Sequence, residues 1–144
     1  MDTEHRASIA WQVFEESNDA IIVTDNDNKI IDVNPFTQRV TQYRRSELLA
    51  MTLFDVLDGG DRTVDEMISA LRETGVFHSR ESFELRCNHG IRRHVNISVS
   101  RLHISQQVFG VVIARDITER VANQEALKAA NEELEKRVVQ RTAE

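Results

Sequence analysis

The sequence predicts an α+β fold: a five-stranded antiparallel sheet with helices on one face, flanked by a short N-terminal helix and a long C-terminal coiled-coil helix. Three observations predict it. Two strand-like runs, a helical stretch and three further strand-like runs follow one another within 144 residues. Short turn signals (NDN, NHG and SQQ) separate neighbouring strands, as antiparallel pairing allows. From Thr118 the chain becomes Ala-rich and charged and has no Gly or Pro, which suits a continuous helix. The expected divisions are a flanking helix over 1–17, a globular domain over 18–117 and a coiled-coil helix over 118–144.

Composition narrows the function. With 24 acids against 18 bases the net charge is −6, which disfavours nucleic acid or an anionic membrane as the main partner. Cys87 is the only cysteine, so an internal disulfide and a thiolate metal cluster are excluded. A reducing, cytoplasmic compartment is the natural expectation. No apolar run approaches the roughly 18 residues of a membrane span, and MDTEHRASIAW lacks a signal-peptide pattern.

The elements follow in order. Residues 8–17 carry Ile9, Val13 and Phe14 at helical spacing, with Ser8 as N-cap. AIIVTD and KIIDVN around NDN form a hairpin. Asn34 before Pro35 starts a helix over 35–43, with Phe36 and Val40 expected on its inner face. Short helical pieces begin at Ser46 and at Met51, and DGGD at 58–61 is a loop. Asp61 is expected to cap the next helix, where Val64, Met67, Ile68 and Leu71 keep 3–4 spacing until Gly75.

Three longer strands are expected at 76–87, 91–104 and 108–117. In the middle one Val95, Ile97 and Val99 alternate with polar residues, a half-buried pattern. The last is apolar on both sides, with Val108, Val112 and Ala114 opposite Phe109, Val111 and Ile113. Its outer face therefore needs a cover. Trp11 and Phe14 of the N-terminal helix supply it, either within the chain or as a homodimer interface with Phe109, Val111 and Ile113.

Asp116 is placed to cap the last helix, and Glu119 three residues on would complete a capping box. Along that helix Leu127, Asn131, Leu134 and Val138 keep 4-3-4 spacing, a coiled-coil seam. Arg120 and Gln124 extend it upstream as poor seam residues. Asn131 between two leucines favours a parallel dimer in fixed register. The alternative is a single solvated helix.

AIIVTDNDNKIIDVNPFTQRVTQYRRSELL, FELRCNHGIRRHVNISVS and GVVIARDITER, in this order and at these distances, resemble the three segments of a PAS domain. The likeness covers roughly residues 8–120. EALKAANEELEKRVVQRTAE is similar to the linkers that join such domains to histidine kinase or diguanylate cyclase output domains. The resemblance implies a bacterial sensory module, not itself an enzyme, that dimerises and signals through its C-terminal helix to an output domain of the same chain. Asp116, Ile117, Thr118, Glu119, Arg120 and Gln124 would carry the signal. A ligandless dimerisation module is the alternative.

The family uses the space between sheet and helices for haem, flavin or small metabolites. Here the long helix has no His and MTLFDVLDG has no Cys, so the haem and flavin-thiol signatures are absent and no cofactor or metal is assigned. The five histidines form no ligand set: His89 reads as a turn residue, His94 and His103 lie on opposite strand faces, and His5 reads as disordered. Alternation gives Phe36, Val40, Phe54, Met67, Leu71, Leu85, Val95, Ile97, Val99, Val112 and Ala114 as cavity lining or, equally, as dry core. So apolar a set suits a small apolar ligand or none.

Overall fold

Strand β1 (Ala20–Thr24) and strand β2 (Ile30–Val33) form the expected antiparallel hairpin, with a bulge between Val23 and Thr24. Asp25 builds the turn. Its Oδ1 accepts the N–H groups of Asp27 (2.9 Å) and Lys29 (3.0 Å), and Asn28 takes the positive φ that Asn tolerates. The structure, a computed structural model, describes residues 2–80 and 82–143, with side chains except at 62 and 138–143.

Asn34 caps helix α2 (Pro35–Thr41) and does more. Its Oδ1 accepts the Thr37 N–H at 3.1 Å and the Ile21 N–H at 3.0 Å, while its Nδ2 donates to the Asp19 carbonyl at 2.9 Å. One buried amide thus ties α2 to β1. This corrects the expected inner face. Thr37 and Thr41 point inward in line with Asn34, and Thr41 returns its hydroxyl to the Thr37 carbonyl. Phe36 and Val40 are only half-buried, at the margin of the core.

Helices α3 (Arg45–Leu48) and α4 (Leu53–Val56) follow, the latter started by the Asp55 carboxylate accepting the Thr52 N–H at 2.8 Å. The expected loop at 58–61 is in part strand β3 (Leu57–Asp58). Its Gly59 lies beneath the Phe83 ring, where a Cβ would come within 2.2 Å of ring carbon. Gly60, at φ 77°, is the N-cap of helix α5 (Asp61–Glu73), so Asp61 lies in the first turn instead of capping it.

The single strand expected over 76–87 is two, β4 (Val76–His78) and β5 (Phe83–Arg86). Both pair with β6 (Arg92–Ile104): Phe77 faces Val99, and Phe83 faces Val95. Six steps along one edge thus match four along the other. Ser79 secures the excess, its Oγ accepting the Ile97 N–H at 2.9 Å and its N–H reaching the Ile97 carbonyl at 3.0 Å. With β7 (Gln107–Asp116) the sheet has seven strands, not five, in the order β2-β1-β7-β6-β5-β3, with β4 also on β6. Ser105 and Gln106, both at positive φ, make a tight turn from β6 to β7.

The core lies on one face of this curled sheet. Ile22, Phe83, Leu85, Val95, Ile97, Val112 and Ala114 meet Leu48, Leu53, Val56 and Met67 from the helices. The flanking helices differ from expectation at their starts. Helix α1 (Thr3–Glu16) begins five residues before the expected position, capped not by Ser8 but by Asp2, which accepts the His5 N–H at 2.8 Å. His5 is accordingly helical and paired with Asp2. Helix α1 packs along α2, buries no residue, and leaves Trp11 60 % exposed. Helix α6 (Thr118–Ala143) leaves the far end of the sheet.

Replacing Asn34 by Ala takes the side-chain partner from the Ile21 N–H and the Asp19 carbonyl and removes a cap, while the Thr37 N–H keeps the residue-34 backbone carbonyl. Asn34→Ala is expected to cost about 2–4 kcal/mol, measured by urea unfolding. A loss below about 0.5 kcal/mol, the usual range for a neutral surface change, would contradict the role assigned to this amide.

Candidate functional site

Two places combine geometry and chemistry: a small cavity at one end of the β6–β7 pair and a polar joint at the other. The cavity has a volume of about 50 Å³ and lies between α4, α5, the β1–β2 turn and the strands β6 and β7. That is room for water, since about 10–15 Å³ of such space admits one molecule. Of the expected lining, Met67, Leu71, Val99 and Val112 are there. Leu53 takes the place expected of Phe54, because α4 turns Leu53 inward. Leu85, Val95, Ile97 and Ala114 lie in the closed core, while Phe36, Val40 and Phe54 stay at its margin.

The alternation of apolar residues missed the polar side of the cavity. Thr24, Asp25, Asn26 and Asn28 come from the first hairpin, and Ser100, Arg101, Val108, Phe109 and Gly110 from β6 and β7. Register brings them together, since Thr24 faces Gly110 and Gly110 faces Arg101. Gly110 was the available signal. A Cβ there would meet the Thr24 Oγ1 at 2.6 Å, so the glycine makes room for that hydroxyl.

The remaining sulfur and imidazole groups are dispersed. Cys87 is buried, its Sγ 3.5 Å from the Leu85 carbonyl, and burial pushes its thiol up, away from the reactive thiolate. His78 Nδ1 lies 2.9 Å from Ser98 Oγ, His89 holds a turn at positive φ, and His103 is exposed. Among the described residues no three His, Cys, Asp or Glu side chains gather as a metal would need.

The joint connects sheet to α6. Asp116 Oδ2 accepts Arg93 Nε at 2.5 Å, and its Oδ1 accepts the Thr118 N–H at 2.9 Å. Thr118 Oγ1 in turn accepts the His94 N–H at 2.8 Å, and the Ile117 N–H donates to the His94 carbonyl at 2.8 Å. The last residues of β7 and the first of α6 are thus clasped to Arg93 and His94 of β6. Burial alone would push the Asp116 carboxyl up. The Thr118 backbone and side chain and the Arg93 guanidinium outweigh burial and hold it below the usual carboxylate range.

The expected capping box does not form. The first intrahelical bond runs from the Val121 N–H to the Ile117 carbonyl, so Asp116 stands one residue outside the cap. Its backbone remains in the β7–β6 ladder opposite Val95, which holds it away from the geometry in which Glu119 could reciprocate. Glu119, Arg120 and Gln124 are exposed and line an open groove with Asn123 and Leu127.

The remaining expected contact residues lie apart. Phe109 and Val111 are half-buried on the outer sheet face, opposite Leu102 and Val23, and Ile113 there is 39 % exposed. Trp11 and Phe14 stack on each other with ring centres 5.8 Å apart. On α6, Leu127 and Leu134 are 64 % and 56 % exposed, and Asn131 is exposed between them. The side chain of Val138 lies outside the described residues.

A family model described as the PAS fold matches residues 14–122, over half of the chain. The sensor histidine kinase TmoS of Ectopseudomonas mendocina is 28 % identical over 128 residues, which are 86 % of this chain but 13 % of that protein. A domain of a sensory box sensor histidine kinase/response regulator from Geobacter sulfurreducens superposes with TM-score 0.61 at 25 % identity, over 80 % of this chain and 97 % of that one. The PAS domain of a Colwellia psychrerythraea protein superposes with TM-score 0.71 at 23 % identity, over 79 % and 98 % of the two chains.

The Asp116 clasp carries a pH signature. An unfolded Asp titrates near pH 3.9, above the lowered folded value, so the stabilisation is whole above about pH 4 and disappears as pH falls through the folded value. Asp116→Asn should therefore be less stable than the parent at pH 7, with the gap narrowing below about pH 4. Urea unfolding across that range is the measurement, and a pH-independent gap would contradict the clasp.

Proposed function

Because the chain belongs to the PAS-fold family, we propose that it is the sensory module of a sensor histidine kinase, passing a conformational bias from the cavity to an output domain beyond α6. One observation carries this reading: β6 reaches both places. Val99, Ser100 and Arg101 line the cavity, while Arg93 and His94 hold the start of α6. From His94 to Ser100 is six residues, about 20 Å of strand. A small displacement at the cavity end moves the strand that clasps the helix.

The module works as a cytoplasmic, parallel homodimer. Trp11 and Phe14, the outer-face residues Phe109, Val111 and Ile113, and the α6 seam of Leu127, Asn131, Leu134 and Val138 are its contacts. Supporting this, Leu127 and Leu134 stand in line and exposed, which a lone helix in water disfavours. Arg120 and Gln124 make the first heptad weak, so it can choose between two packings. Packed interfaces tend to be bistable and not continuously deformable. The relatives that are sensor histidine kinases favour that output over a cyclic-di-GMP enzyme.

A second reading has its own support. A cavity of about 50 Å³ is far smaller than a haem or flavin would require, which suits a ligandless assembly module as well as a sensor of small molecules.

Two outcomes test the proposal. In the intact protein, Gln124→Leu is expected to fix kinase output at one level regardless of stimulus, read as autophosphorylation. Unchanged output with the response intact would contradict the packing choice. Chain 1–144 should sediment as a dimer, and the pair Leu127→Asp with Leu134→Asp should convert it to monomer; dimer retained by the pair would remove the seam from the interface.

A further inference from the structure

Across the inner face of the sheet, at its cavity end, three residues stand side by side: Thr24 on β1, Gly110 on β7 and Arg101 on β6. Their chemistry is unequal. Thr24 is only 3 % exposed, yet among the described residues its hydroxyl has no hydrogen-bond partner. The oxygen is not sealed off: it opens onto the cavity, where water or a ligand can reach it, and among the described residues the fully buried side-chain polar atom without a partner is His94 Nδ1. Gly110 contributes bare backbone beside it, and the Thr24 Oγ1 takes the space that a side chain would need. Arg101 completes the row as an exposed guanidinium with no ion-pair partner among the described residues. Behind the row the wall is apolar: Leu53, Met67, Leu71, Val99 and Val112.

Building on the sensory reading above, we infer that the cavity takes a short aliphatic monocarboxylate. The carboxylate accepts from the Thr24 hydroxyl and from Arg101 across Gly110, and the alkyl tail enters the apolar end. Thr24 is the donor that waits for an acceptor, and a guanidinium is the side chain best matched to a carboxylate. The volume of this half-open cavity sets the tail. About 50 Å³ is a third of the roughly 150 Å³ that holds a benzene ring, so two or three carbons fit and an aromatic ring does not. The rim sets the charge. Asp25 contributes a carboxylate there, turned onto the Asp27 and Lys29 N–H groups, which tolerates one negative charge on the ligand and disfavours two.

Two variants test the two donors separately. Thr24→Val keeps the shape and deletes a hydroxyl that water can reach, so it should leave the Tm of the ligand-free protein near that of the parent while weakening binding. Arg101→Gln changes an exposed residue and should leave the ligand-free Tm unchanged while weakening binding as much.

The experiment titrates chain 1–144 with acetate, propionate and butyrate against acetamide, propionamide and butyramide, by calorimetry and thermal shift. The expected result is that the acids bind and raise the Tm, the amides do not, and each variant raises the propionate Kd about tenfold or more. Amides binding as well as acids, no stabilisation by any acid, or parent-like affinity in Arg101→Gln would each overturn the inference. None of these touches the sensory reading, which fails separately if Gln124→Leu leaves output and response unchanged.

Discussion

The pairing of β6 with β7 is the constraint on which the other features depend. Ten consecutive pairs run from Val95 opposite Asp116 to Ile104 opposite Gln107, and a two-residue turn at Ser105–Gln106 sets their register. A slip of one residue would send every side chain to the other face. It would carry Val95, Ile97 and Val99 out of the core, and it would part Arg101 from Gly110 and Arg93 from Asp116. The cavity row and the helix joint are therefore two ends of one registered ribbon. Both depend on the same register.

The two ends are held by different physics. The middle of the ribbon is buried apolar surface, worth about 25 cal/mol per Å², and it resists deformation because packed interiors leave few voids. The joint is polar and partly exposed. Its Arg93–Asp116 pair and the Thr118–His94 bonds each supply modest net free energy. A rigid ribbon ending in a weak clasp moves at the clasp first. Helix α6 adds no resistance of its own in a single chain, since Leu127 and Leu134 face water.

Much of this was legible in the residues. The first hairpin, Asn34 with Pro35, the cores of β6 and β7 and the helix from Thr118 all followed from local period and turn chemistry. The misses share a cause: each depended on tertiary register, which local pattern does not encode. Phe36 and Val40 looked like the inner face of α2 because they are apolar, but Asn34 orients the helix so that Thr37 and Thr41 face inward. Residues 76–87 looked like one strand because Ser79 gives no sign that it anchors a bulge. Asp116 and Glu119 had the spacing of a capping box, yet β-pairing keeps the Asp116 backbone in the sheet. The cavity was sought among alternating apolar residues, so its polar side went unseen. Thr24, Gly110 and Arg101 lie far apart in sequence, and only the sheet makes them neighbours.

The central claim is that filling the cavity is felt at the start of α6. Val99→Ile adds one methylene to the cavity wall without touching the joint. Amide hydrogen exchange, resolved by residue, then reads the Ile117 and Val121 N–H groups, which report the His94 clasp and the first turn of α6. The account predicts that their protection changes while that of the Leu49 and Ala50 amides, which end α3 and line neither the cavity nor the joint, stays as in the parent. Unchanged protection at Ile117 and Val121, in a variant whose melting temperature shows that the cavity has been altered, would contradict it.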